Sequence, residues 1–355
     1  NYIEFKPNFM LRIATMIYKM PFVIEDIHYN QMDATDLGII IGNHGKIDLL
    51  NTEMDFYSYE YISKEKTRFI HIDFSLHNLR LKKCDYKIST KLNMKDMWNT
   101  LVKILLDMNY IIIGVDCAKI KSFTKEHGEF WPGTITLYGF DEEKLMFEYA
   151  GFQDGRKYSV GFICLDELYK AWTSLLIHED EIDSGLCVNN ELFRLTLIKY
   201  KNDDCNIELK EYKIDDKDKS NVILYYSQKS PGQNRRLYTT PIVRRDEGLQ
   251  VITRIKFFIK QSLKTNNYDY CMQLPNAIRT YAIWIIQKKT LLLQKNGREQ
   301  IMRFAEMSNQ IKEYCNLLLV YGLKYDFCKK EVTLLKLEML IEKIIQILFA
   351  IEKVY

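Results

Sequence analysis

Cys117 and His127 are the residues of this chain best placed in sequence for covalent chemistry, because they flank one loop and have Asp116 and Asp141 nearby. A thiol nucleophile needs a histidine to take its proton and a carboxylate or amide to orient that histidine. Cys117, however, follows the strand-like run Tyr110-Ile-Ile-Ile-Gly-Val-Asp116 and does not open a helix, so nothing in the local sequence activates its sulfur. The plainer reading makes Cys117 a small apolar core residue and His127 a loop histidine. His28, His44, His71 and His77 raise the idea of a metal site, but no two close pairs give the spacing of tetrahedral zinc. His71 and Asp73 share a face on an alternating strand, but a satisfied structural histidine accounts for them better than a metal site. Gly38 and Gly42 lack the downstream glycine and lysine of a nucleotide-binding loop, so neither a metal nor a nucleotide cofactor is expected.

The elements that must position these residues follow from periodicity. Thr134 to Glu143 and Leu145 to Tyr149 continue as strands around a tight acidic turn, and Leu165 to Trp172 is amphipathic. Phe9 to Tyr18 is apolar on most sides and follows Pro7-Asn8, which predicts a buried helix. Leu37 to Gly42 and Phe69 to Asp73 are compatible with short strands, and a helix is expected near Met94 to Met108. Asn206 to Tyr212 reads as a strand, Val222 to Tyr226 as a helix, and 215–221 and 227–236 as polar linkers. Beyond Gly248 the pattern is helical at 249–263, 274–294, 299–321 and 329–354, with apolar residues three and four apart. These features give an α+β domain over 1–226 and an α-helical subdomain over 227–355. At 355 residues the chain can bury a substantial core, and its 50 basic against 47 acidic residues leave no field aimed at nucleic acid or an acidic membrane. Eight scattered cysteines without a CxxC argue for reduced thiols and a cytoplasmic setting, and no charge-free apolar run is long enough for a spanning helix.

Three features together resemble the papain-like enzymes related to butirosin biosynthesis protein H, from peptide and aminoglycoside natural-product pathways. The first is Gly114-Val-Asp116 followed by Leu137-Tyr-Gly-Phe-Asp141. The second is Phe147-Glu-Tyr-Ala-Gly-Phe152 followed by Cys164-Leu-Asp-Glu-Leu-Tyr-Lys-Ala-Trp172. The third is the helical tail, with Lys288-Lys289 on its second helix and Glu338 and Glu352 on its last. The resemblance implies a papain-like domain whose nucleophile opens the first long helix, whose histidine opens the strand ending in Gly-Phe-Asp141, and whose orienting acid precedes an aromatic on the next strand. Those three positions hold Phe9, Gly133 and Gly151. Phenylalanine cannot attack a carbonyl, and glycine can neither carry a proton nor orient an imidazole.

Two expectations follow from the resemblance. One is a non-catalytic homologue that binds a carrier protein or an active, homologous enzyme subunit. The other is an acyl- or amide-transferring enzyme that works with a relocated thiol such as Cys117, with His127 and Asp141 as its candidate partners, or with no covalent intermediate. Phe130-Trp131-Pro132 would line the cleft, filling the vacated site or forming an apolar pocket. Arg235, Arg236, Arg244 and Arg245 have a plain reading as solvated loop charges. Their functional reading is contact with a phosphopantetheine-linked acyl substrate or with the acidic helix of its carrier. The long C-terminal helices also offer apolar faces for self-pairing.

Overall fold

The computed structural model describes residues 16–24, 31–62, 68–78, 80–123, 130–153, 157–178, 187–189, 191–201, 221–224, 238–262, 273–296, 299–328 and 331–352. Its elements, in chain order, begin with strand β1 (Ile17–Lys19), helix α1 (Gln31–His44) and strands β2 (Thr52–Ile62), β3 (Arg68–Asn78) and β4 (Leu81–Ser89). Next come α2 (Met94–Leu106), β5 (Asn109–Asp116), β6 (Pro132–Asp141), β7 (Met146–Gln153), β8 (Lys157–Cys164) and α3 (Leu165–Ile177). Strands β9 (Cys187–Asn189), β10 (Leu192–Tyr200), β11 (Asn221–Leu224) and β12 (Tyr238–Glu247) precede the helices α4 (Leu249–Ser262), α5 (Gln273–Asn296), α6 (Glu299–Cys328) and α7 (Glu331–Glu352). The chain is thus mixed α and β, with antiparallel strand pairing and long helices. Among the described residues no helix is long and apolar enough to cross a membrane.

Two compact units share the chain, and neither is a continuous segment. One takes the described residues of Asn1–Pro21, Cys84–His178 and Leu186–Ile198, the other those of Phe22–Lys83 and Lys199–Tyr355. The division expected at residue 226 therefore differs from the compact units, because strands β2 and β3 belong with the C-terminal helices.

The first unit is built on a sheet ordered β4-β10-β5-β6-β7-β8, with β1 added to β6 and β9 to β10. Strand β5 is buried along almost its whole length, which explains its unbroken apolar run. Helix α2 forms because Asn93 caps it, its side chain accepting from the Asp96 amide at 2.9 Å, and because Met97, Trp98, Leu101, Ile104 and Leu105 make one buried stripe. Helix α3 buries Leu165, Leu168, Ala171, Trp172 and Leu175 in the same manner. Two corrections belong here. The helix expected over Phe9 to Tyr18 is not what the described part shows, since Ile17–Lys19 is a strand paired with Gly139, Phe140 and Asp141, while 9–15 lie outside the described residues. The β-branched and aromatic pair Ile17-Tyr18 suits an extended edge. Lys157–Cys164 is a full strand between β7 and α3 that the periodicity did not reveal.

The second unit pairs a four-stranded sheet, β11-β12-β2-β3, with the helical bundle. Phe56, Ile70 and Ile72 from the sheet share a core with Val251, Ile255 and Phe258 of α4 and with the inner faces of α5, α6 and α7. Buried Glu60 ties this assembly together, accepting from Arg68 at 2.6 Å and from Arg254 of α4. Leu37 to Gly42, expected as a strand, lies inside helix α1, where Leu37, Ile40 and Ile41 pack against Leu49, Leu76 and Trp284. Gly38 admits the ring of Phe22 across the helix; a Cβ there would sit 2.5 Å from Phe22 Cζ. Asn221–Leu224 is a strand on β12, not the start of a helix, and its β-branched pair Val222-Ile223 fits that role. The strand expected at Asn206 to Tyr212 and the linker at 227–236 lie outside the described residues.

Candidate functional site

Of the residues singled out for chemistry, Asp116, Cys117, Phe130, Trp131 and Gly133 lie where β5 ends and β6 begins. Strand β5 delivers Asp116 and Cys117 to the edge of the core, and β6 returns antiparallel with Asp116 opposite Pro132 and Val115 opposite Gly133. Asp116 is buried and fully occupied. One carboxylate oxygen accepts from the amides of Ala118 at 3.1 Å and Trp131 at 2.9 Å, and the other accepts from Ser174 Oγ at 2.7 Å. Three donors on one buried carboxylate make it a structural anchor that fixes the loop and α3 against β5. The Cys117 amide donates to the Trp131 carbonyl at 2.7 Å, which extends the pairing of β5 with β6 by one residue.

The sulfur of Cys117 lies over Gly133. A Cβ on Gly133 would be 2.5 Å from Sγ, so the thiol and any side chain at 133 compete for one space. Gly151 lies on the adjacent strand β7, and its missing Cβ would meet Ile135 Cγ2 at 3.2 Å and Phe123 Cζ at 3.6 Å. The rest of the region is aromatic. Phe123 meets Trp131 edge-on with centroids 5.9 Å apart and lies parallel to Tyr149 at 6.1 Å. The Tyr149 hydroxyl bonds Ser122 Oγ. Burial, and secondarily the carboxylate of Asp116, pushes the Cys117 thiol up to about 12, so it is protonated at neutral pH. A protonated, buried thiol is a poor nucleophile. Among the described residues no group of three histidine, cysteine or acidic side chains could hold a metal ion.

The other expected residues are distributed as follows. Phe130 belongs to the site, stacked on the His178 ring at 4.3 Å, while His178 Nδ1 lies 2.8 Å from the Ser174 carbonyl. Asp141 does not join Cys117. It ends β6, and nine residues of extended strand put it roughly 30 Å from Pro132. There its carboxylate accepts from the Lys144 amide at 3.1 Å, which holds its pKa below the usual value. Phe9, His127, Arg235 and Arg236 lie outside the described residues. Arg244 and Arg245, expected in a loop, stand on β12 in register with Glu60 and Tyr59 of β2. Lys288 donates to the Thr52 carbonyl at 3.0 Å, and Glu338 pairs with Lys260 at 3.7 Å.

Ser174, His178, Phe123 and Tyr149 complete the site without having been read from the sequence. Ser174 left one usable signal, a hydroxyl among the buried apolar residues of α3. The chain matches no protein-family model, and no curated protein matches its sequence.

Proposed function

We propose that the chain is a catalytically silent papain-like homologue, related to butirosin biosynthesis protein H, that binds a carrier protein or an active partner enzyme in a peptide or specialised-metabolite pathway. The observation that carries this reading is the pairing of Gly133 with Cys117. In the family that the chain resembles, the histidine and its orienting acid stand on adjacent strands. Gly133 and Gly151 stand on the paired strands β6 and β7, and Ile135, Phe123 and the Cys117 sulfur fill the space around them. The antiparallel pairing of β5, β6 and β7 around the acidic turn also supports the reading, although β8 adds a strand before α3 that the resemblance did not lead one to expect. The competing role of Cys117 as a relocated nucleophile is disfavoured by a thiol held protonated and by the remoteness of Asp141.

Incubation with an iodoacetamide-type probe and with an acylated carrier protein, followed by intact mass, tests this. The expected result is carrier binding with no modification or acyl uptake at Cys117 in the native protein, and labelling only after unfolding. Rapid native labelling of Cys117 together with acyl transfer would overturn it.

A further inference from the structure

Helix α7 turns two different faces outward and inward. Its inner face, Leu334, Leu337, Ile341, Ile344, Leu348 and Ile351, is buried in the bundle core. Its outer face carries Val332, Leu335 and Met339, exposed by 62%, 45% and 61%, at spacings of three and four residues that make a continuous ridge. Helix α6 adds exposed Leu317 and Val320. Single exposed apolar residues need no explanation, whereas an aligned set on one helix marks a surface built for contact.

The charges beside the ridge say what kind of contact. On one flank the acids are already neutralised, Glu338 by Lys260 and Glu342 by Lys256, both from α4. On the other flank Lys336 and Lys343 hold their ammonium groups over the rings of Tyr321 and Tyr314, 5.0 and 5.1 Å from the centroids. Among the described residues no carboxylate lies within ion-pair distance of either lysine. Along α7, among the described residues, the uncompensated charge beside the ridge is therefore positive. A second copy pairing through this same patch would bring lysines against lysines, which works against a symmetric dimer. Two lysines also fall short of the larger basic clusters that hold a protein to an anionic membrane.

We propose that this face of α7 docks an amphipathic helix of a partner protein, a helix whose apolar stripe is flanked by carboxylates. Its stripe would lie along Val332, Leu335 and Met339, and its acids would meet Lys336 and Lys343. The inference rests on the reading of the chain as a binding protein and names the chemistry of one partner.

The test uses the full chain and two fluorescent synthetic helices that share one leucine stripe, one flanked by glutamates and the other by lysines. Anisotropy is expected to show the glutamate-flanked helix binding roughly tenfold tighter. Met339→Glu should weaken that binding by a similar factor, and K336E together with K343E should invert the preference, with circular dichroism unchanged in each variant. Equal affinity for the two helices, no binding of either, or full binding by Met339→Glu overturns the proposal. So does sedimentation that shows a dimer abolished by Met339→Glu, or pelleting with phosphatidylserine vesicles in preference to either helix. Cys117 labelling is read separately on the same protein. Selective helix binding with rapid thiol labelling sinks the silent-homologue reading alone, while an inert thiol without helix binding sinks the docking face alone.

Discussion

Between β5 and β6 there is room for one group, and Cys117 has taken it. The 2.5 Å separation from a Cβ at Gly133 is far inside ordinary contact, and the thiol is buried beside the backbone bond from Cys117 to Trp131. Gly133→Ala should therefore cost about 1–3 kcal/mol of stability, the usual range for overpacking a core. In a Cys117→Ala background the same substitution should cost markedly less, because the sulfur that it meets is gone. Chemical denaturation of the four proteins of that cycle measures the coupling. Additive costs would mean that the two residues do not compete for space. The candidate site was only partly legible in the sequence. Asp116, Cys117, Phe130, Trp131, Gly133 and Gly151 were visible as a neighbourhood, because β5 and β6 are local and strongly patterned. Ser174 and His178 come from a helix 58 residues or more beyond Asp116 and arrive only through packing. Asp141 was misplaced because closeness in sequence along an extended strand is distance in space.

Helix α1 shows at the level of elements how an apolar run can mislead. Leu37-Gly-Ile-Ile-Ile-Gly42 has the β-branched content of a buried strand, and a helix buried on several sides loses the polar face that would betray its period. By contrast α2, α3 and the four C-terminal helices keep one wet face, and their patterns were readable. Helix α1 also buries a charge. Asp36 is wholly enclosed, with one oxygen 2.5 Å from Lys83 Nζ and the other without a hydrogen-bond partner among the described residues. Burial raises its pKa from the ordinary 3.8 to about 6, opposed by Lys83 and by the nearby His77. The folded state thus holds the Asp36 proton more tightly than the unfolded chain. Its contribution is most favourable below pH 3.8 and is lost as pH rises through about 6, to a total of about 3 kcal/mol. Asp36→Asn should flatten the fall in stability between pH 4 and pH 6.5. Urea titrations of both proteins across that window check it, and an unchanged slope would remove Asp36 as its source.

At the scale of the molecule the chain crosses between its two compact units more than once, and this is what composition could not reveal. The change of character after Gly248 is real, since all four helices from Leu249 onward are present. It suggested a boundary near residue 226, yet the helices do not close a core by themselves. They share one with Phe56, Ile70 and Ile72, residues that precede them by nearly two hundred positions, and Arg254 reaches the buried carboxylate of Glu60 on β2. A fragment ending at residue 226 would keep β2, β3 and helix α1 against Leu76, while losing β12 and the C-terminal helices that cover Phe56, Ile70 and Ile72. Glu60 would then be left with Arg68 as its described partner. An exposed two-stranded ribbon of this kind is not stable alone. The fragment 1–226 should therefore exchange the amides of 52–78 rapidly and bind a hydrophobic dye, whereas the full chain protects them. Hydrogen exchange with mass-spectrometric readout distinguishes the cases at peptide resolution. Protection of 52–78 in the fragment equal to that in the full chain would show that the first 226 residues close their own core and that the shared one is dispensable.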